Sequence, residues 1–301
     1  MLLRGFVSLA APLALLAGSI LAVPGGPTPP SRWSEGWVFA NGLRMHYWRT
    51  GGDRPPLVLA HGLTDDSLCW ANLAKDLEDS FDIIMLDARG HGLTDPPAAS
   101  DPSDVMVEDL AAFLREMKIE KPILMGHSMG GSTIAWFATR YPDVPRAVVL
   151  VDPGGWSTTA NAPARPVDSR PSPDLEKQRA AILAINNTPH AELVEACLKA
   201  NPKRPRGECE ATARADQLYH PNNVWRQRGG TPPMRDMIAG IAAPTLILKA
   251  DAQGDARRAN EEAARPLKNG KLIHVEGAGH NVHMEQRERT AAAFKTWVAG
   301  M

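Results

Sequence analysis

The segment Ile123-Leu124-Met125-Gly126-His127-Ser128-Met129-Gly130-Gly131-Ser132-Thr133 decides the fold. Its first three residues are an apolar run that reads as a buried strand, and residues 133–140 have helical spacing. Between them stands Gly-x-Ser-x-Gly, residues 126–130. A chain that turns this sharply from strand to helix forces its central serine into strained backbone dihedrals. Side chains at the flanking positions would collide with neighbouring backbone, hence the glycines. The helix N-terminus then offers free N–H groups and positive potential beside Ser128. A strand before the motif and a helix after it separate a nucleophile turn from an ordinary glycine-rich one.

Working outward, apolar runs at 57–60, 83–86, 147–151, 245–248 and 271–275 read as further strands. Helical patterns lie at 67–77, at 105–117 (Val107, Leu110, Leu114 and Met117 on one face) and at 285–298. Upstream, residues 37–39 and 44–48 flank Asn41-Gly42, a strong hairpin turn signal. Strand and helix in alternation imply parallel pairing through right-handed crossovers. Strands covered on both faces appear as unbroken apolar runs, as these do. The expectation is an α/β fold: a mostly parallel eight-stranded sheet with helices on both faces. The rhythm breaks at residues 155–240, which are rich in proline and charge and contain helical patterns at 174–186 and 190–200. An insertion after that strand lies over the strand ends where ligands bind, so it reads as a helical lid that sets substrate choice.

A serine hydroxyl is a poor nucleophile without a base. His280, in Gly277-Ala278-Gly279-His280, follows the last strand and is the chosen base. His283 is its rival, and His274, inside a strand, reads as structural. The acid belongs between nucleophile and base in chain order. Asp251, three residues past Leu248, is the first choice, with Asp255 in the same loop and Asp152 at the end of the preceding strand as alternatives. An oxyanion hole needs two donors, assigned to the backbone N–H groups of Met129 and of Leu63 in His61-Gly62-Leu63-Thr64. His61 reads as a support of that loop or as a packed polar residue. Asp87, His91 and His127 read as structural, Trp70, Trp136 and Trp156 as core or pocket lining, and Lys203, Arg204 and Arg206 as a solvated charge run.

The chain has 301 residues, with 33 basic and 34 acidic side chains and a formal net charge of −1. That balance gives no electrostatic argument for nucleic acid. Residues 1–23 stand apart. A single Arg4 precedes an uncharged run from Phe6 to Val23. This order fits a signal peptide cleaved after Ala22, although Ile20 is large for its position. The run is also long enough for a membrane anchor. Either way, a Pro/Gly-rich linker at 24–34 leads into a catalytic domain at 35–301 placed outside the cytoplasm. Such a location permits a disulfide, and Cys197 and Cys209 are near enough in sequence to pair, with Cys69 left as a buried residue. All three reduced and buried is the other reading. No metal-ligand spacing occurs.

The pieces Ala60-His61-Gly62, Asp87-Ala88-Arg89-Gly90-His91-Gly92, Gly126-His127-Ser128-Met129-Gly130-Gly131, Leu248-Lys249-Ala250-Asp251 and Gly279-His280 followed by Glu285 together resemble the α/β-hydrolase superfamily. The resemblance spans residues 35–301 and implies an α/β-hydrolase fold with a Ser-His-Asp triad, no metal and no organic cofactor. Similar proteins include esterases, lactonases and carbon–carbon bond hydrolases. Epoxide hydrolases and haloalkane dehalogenases carry aspartate where Ser128 stands. In many relatives the acid sits a little later in its loop, after a glycine, which keeps Asp255 open. The leading expectation is hydrolysis of a small-molecule carboxylic ester. Lactone or carbon–carbon bond hydrolysis by the same triad, a peptidase, and a non-catalytic binding protein on the same fold are the alternatives.

Overall fold

The computed structural model describes residues 30, 32–159, 174–202, 204–226 and 230–301. The expected leader or anchor at 1–23, most of the linker, Lys203 and residues 160–173 and 227–229 of the insertion lie outside the described residues. Among the described residues, eight strands form one sheet: β1 (Ser34–Ala40), β2 (Leu43–Arg49), β3 (Pro56–Ala60), β4 (Asp82–Leu86), β5 (Ile123–His127), β6 (Ala147–Val151), β7 (Thr245–Lys249) and β8 (Gly270–His274), ordered β1-β2-β4-β3-β5-β6-β7-β8. β2 runs antiparallel to β1 and β4, and every other pairing is parallel. Asn41 and Gly42 close the β1–β2 hairpin, both at positive φ (46° and 78°), with Ala40 paired to Leu43.

The strands show why their sequences lack polar alternation. Leu57, Leu59, Ile83, Met85, Ile123 and Met125 face one layer, with Leu73, Leu77 and Phe294. Their neighbours Val58, Ile84, Leu124, Val148 and Ile247 face the other, with Leu110, Phe113, Phe137 and Ile238. The period-two geometry of a strand therefore feeds two cores at once. The first layer comes from α1 (Ala71–Leu77), α9 (Val282–Glu285) and α10 (Arg287–Ala299), and the second from α2 (Val105–Glu116) and α3 (Ser128–Arg140).

Between β6 and β7 lie α4 (Leu175–Asn186), α5 (His190–Ala200), α6 (Arg206–Leu218) and α7 (Met234–Gly240), and α8 (Gly254–Ala264) follows β7. α7 buries Met234, Met237 and Ile238 in the second core layer, so the part of the insertion that lies apart from the sheet ends before it. α5 and α6 share a small core of Val194, Cys209 and Ala213 and are joined by the Cys197–Cys209 disulfide (Cα–Cα 5.6 Å). Cys69 is free and buried. Asn72 donates to Glu208 (2.7 Å), and Arg214 bridges Asp66, tying α6 to the core. Among the described residues, no helix is long and apolar enough to cross a membrane.

Leu124 is fully buried at the centre of the sheet. Leu124→Ala removes buried methyl groups and leaves a cavity, and should cost about 2–5 kcal/mol. Urea unfolding should show a lower midpoint at unchanged slope.

Candidate active site

β5 runs into α3 with no intervening loop, which places Ser128 at φ 47°, in the left-handed region. A Cβ at Gly126 would stand 2.5 Å from the Gly130 carbonyl carbon, and one at Gly130 would overlap the Ala60 carbonyl. The glycines at both ends of the motif are thus required by backbone-to-backbone approach. The Gly130 N–H donates to His61 O at 3.0 Å, fastening the loop after β3 to the elbow.

His280 Nε2 lies 3.0 Å from Ser128 Oγ, and His280 Nδ1 lies 2.5 Å from Asp152 Oδ2. The acid beside the imidazole is therefore Asp152, and the expected Asp251 is not there. Asp251 accepts the Gly277 N–H at 2.9 Å and a Gln253 amide N–H at 3.2 Å, which props the histidine loop from outside. Asp255 sits in the first turn of α8, exposed and paired with Arg258. The physical reason is sheet register. His127 pairs with Val151, so the residues that follow them, Ser128 and Asp152, emerge side by side at the ends of β5 and β6. Asp152 shares the left-handed turn (φ 39°) that lifts Ser128 off its strand.

A lysine that the sequence reading did not single out completes the acid's surroundings. Lys249, at the end of β7, places Nζ 2.5 Å from Asp152 Oδ1, the oxygen that His280 does not use. The two side chains are 10% and 11% exposed, so water screens the pair little. The Trp156 ring covers the ammonium at 5.0 Å, held by its own Nε1–H bond to Asn260 (3.0 Å). The Ala250 N–H adds a longer contact to Oδ1 at 3.3 Å. Burial alone would raise the Asp152 carboxyl, but the bonds from His280 and Lys249 outweigh it and hold the group at about 2. The bond to Asp152 raises His280 above the ordinary imidazole value, against burial and the repulsion of Lys249. Glu285 fixes the histidine loop by accepting from Gly279 N–H (2.7 Å) and Asn281 N–H (3.2 Å), on both sides of His280.

The loop after β3 is held from several directions. His61 Nε2 accepts the Ala88 N–H at 2.9 Å, so its proton lies on Nδ1, which donates to Gly62 O at 2.7 Å. Burial keeps that ring neutral by lowering its pKa. His91 Nε2 stands 2.6 Å from Leu63 O, and burial lowers His91 to about 3. Both residues support the loop. The Met129 N–H belongs to the first turn of α3, where helix N–H groups lack intrahelical acceptors. Asp87 accepts from Ser67 N–H (2.6 Å) and Leu93 N–H (3.0 Å) and stands 2.6 Å from His46 Nδ1, a structural hub.

The remaining histidines take no place beside Ser128. His283 is buried against Trp70 (ring centroids 4.0 Å apart), and burial lowers it well below the ordinary value. His274 Nε2 meets the Asn260 amide at 3.2 Å. His127 Nε2 stands 3.0 Å from His280 O, supporting the catalytic loop from beneath. Trp70 is core, and Trp136 packs at its edge under Arg140. Among the described residues, no cluster of three or more His, Cys, Asp or Glu could hold a metal ion.

Residues 57–293 match the alpha/beta hydrolase family, and the chain belongs to it. A 2-(acetamidomethylene)succinate hydrolase of Mesorhizobium japonicum is 36% identical over 104 residues, 35% of this chain and 37% of that protein. An N-formylmaleamate deformylase of Pseudomonas putida is 36% identical over 119 residues, 39% of this chain and 44% of that protein. The chain thus spans about two-fifths of the length of these curated relatives. The crystal structure of an E-2-(acetamidomethylene)succinate hydrolase superposes with a TM-score of 0.66 at 19% identity, covering 89% of this chain and 99% of that one. That likeness establishes the fold.

Three substitutions test the acid's identity and its tuning. Asp152→Asn should lower kcat about 10³- to 10⁴-fold by destroying the orientation of His280. Asp251→Asn keeps an acceptor for Gly277 and should leave kcat within about threefold. Lys249→Met removes a cation that disfavours protonation of His280. Since the base must be neutral to act, the acidic limb of kcat/KM against pH should move to higher pH, and an unmoved limb would show that Lys249 does not tune the base.

Proposed function

We propose that the protein hydrolyses a carboxylic ester through an acyl-enzyme on Ser128. The observation that carries the reading is the single line from Asp152 through His280 to Ser128, with contacts of 2.5 and 3.0 Å. Ser128 attacks the ester carbonyl as its proton passes to His280 Nε2. The N–H groups of Met129 and Leu63 hold the negative charge that develops on the carbonyl oxygen. Asp152 keeps the imidazole in the productive tautomer and stabilises the imidazolium. His280 then protonates the leaving alcohol, and a water activated by the same ring releases the acid. No step calls for a metal or organic cofactor.

The family supports hydrolysis, and the ester is the finer part of the reading. The two relatives named above are a hydrolase and a deformylase, which favours attack on an acyl carbon as the shared chemistry. A lactone presents the same carbonyl to the same residues and is the second reading. The leader or anchor expected at residues 1–23 would deliver the domain outside the cytoplasm or to a membrane surface. The Cys197–Cys209 disulfide is compatible with an oxidising compartment.

Protein lacking residues 1–30 should hydrolyse p-nitrophenyl esters from acetate to decanoate, with the chain-length profile sizing the pocket. Ser128→Ala should lose at least about 10³-fold in kcat. Activity surviving unchanged in that variant would remove Ser128 from the mechanism. No ester turnover in wild type, with lactone hydrolysis instead, would select the second reading.

A further inference from the structure

We infer that Arg226 anchors a carboxylate carried by the substrate, so that the preferred ester is a half-ester of a dicarboxylic acid. This rests on the ester-hydrolase reading and specifies its substrate class. Arg226 closes the 3₁₀ turn Pro221–Trp225 of the insertion and reaches down to the elbow. Its Nη1 lies 3.0 Å from Sδ of Met129, the residue that follows Ser128. A thioether is a weak, uncharged acceptor. Among the described residues, it is the one hydrogen-bond acceptor that the guanidinium meets.

Three other half-buried arginines each meet a carboxylate, whereas Arg179 and Arg204 of the insertion, like Arg226, bridge none among the described residues; what sets Arg226 apart is its contact with Met129 beside Ser128. Arg49 bridges Asp82, Arg89 bridges both Asp101 and Asp109, and Arg214 bridges Asp66. Among the described residues, Arg226 bridges no carboxylate, and burial pulls its pKa down with only Tyr219 opposing. Tyr219 is itself pushed up by burial and stays a neutral phenol. A cation withdrawn from water without a partner is costly, and an anionic ligand removes that cost. Bidentate pairing with a carboxylate is the bond for which a guanidinium is built.

Arg226 borders open space. A cleft beside it is walled by Arg89, Asp101, Ser103, Met106, Arg226 and Thr231. Its one carboxylate, Asp101, is already engaged by Arg89 (3.2 Å) and by the Ala98 N–H (2.9 Å). A second, mostly apolar chamber shares Arg89 and Met106 with the cleft and extends to Met129 and Gly130. Arg226 and the apolar chamber both reach Met129, the residue after Ser128, so an anion held at Arg226 lies beside the elbow.

The test compares pairs with acyl chains of equal carbon number: monoethyl succinate, glutarate and adipate against ethyl butyrate, pentanoate and hexanoate. For at least one pair, the ratio of kcat/KM for the anionic over the neutral ester should fall about 10- to 100-fold in Arg226→Met. Arg226→Lys, which keeps the charge and loses the fork, should fall between. Because the ratio is taken within one variant, a general loss of folded protein cancels. A ratio unchanged in Arg226→Met for all three pairs overturns the inference. If no ester is turned over, titration calorimetry of the three free dicarboxylates into Ser128→Ala decides. Binding abolished by adding Arg226→Met supports the site, and binding absent, or equal in both proteins, overturns it. Fluorophosphonate labelling of Ser128 reads the ester-hydrolase proposal by itself, so the two can fail separately.

Discussion

The site depends on one contact between backbones, where the first turn of α3 presses against the end of β3. Gly130 meets the Ala60 carbonyl with no room for a side chain, and its N–H is bound by His61 O at 3.0 Å. That closeness leaves no length for a loop between β5 and α3, so Ser128 must take φ 47°. A non-glycine residue there costs about 1–3 kcal/mol, which the buried sheet beneath it supplies. The strain has a structural return. It lifts Ser128 Oγ above the strand ends, and the same contact fixes the loop that carries Leu63. The elbow and the loop after β3 are thereby held by one interaction.

The second determinant is the division of one carboxylate between two partners, an imidazole and an ammonium. Asp152 Oδ2 serves His280 and Oδ1 serves Lys249, both at 2.5 Å. Burying Asp152 beside a neutral imidazole alone would leave its charge poorly compensated. Lys249 supplies that compensation in the resting state. It also opposes the pull of Asp152 on the imidazole proton, since the two act on His280 with opposite sign. In the proposed mechanism, the imidazolium formed when Ser128 gives up its proton meets an anion already held in place.

The parts of this site that sequence reveals are those encoded locally. The elbow is a contiguous motif, His280 follows the last strand, and the apolar runs mark the strands. The acid is not local. Asp251 and Asp152 both satisfy the chain order, and only the pairing of His127 with Val151 places Asp152 against Ser128's own strand. Lys249 escaped notice for the same reason, because its partner lies on the neighbouring strand. α6 was missed because it buries small side chains (Ala211, Ala213 and Ala215) that give no apolar stripe. α8 is strongly charged and buries only Ala263. Arg226 carries no motif, and its isolation from carboxylates exists only in three dimensions.

The insertion is bound into the catalytic machinery through the loop that supports it. Gly90, at φ 75°, offers its carbonyl to the His220 N–H (2.9 Å) and to the Asn223 amide (2.7 Å), and a Cβ at Gly90 would crowd Asn223 at 2.7 Å. The next residue, His91, stands 2.6 Å from Leu63 O. Two adjacent residues thus hold the 3₁₀ turn that ends at Arg226 on one side and the loop after β3 on the other. Arg214 on Asp66 and Asn72 on Glu208 add ties at the opposite end of that loop. The 3₁₀ turn, the Gly90–His91 loop and the loop after β3 are consequently one hydrogen-bonded unit that reaches the elbow at Met129.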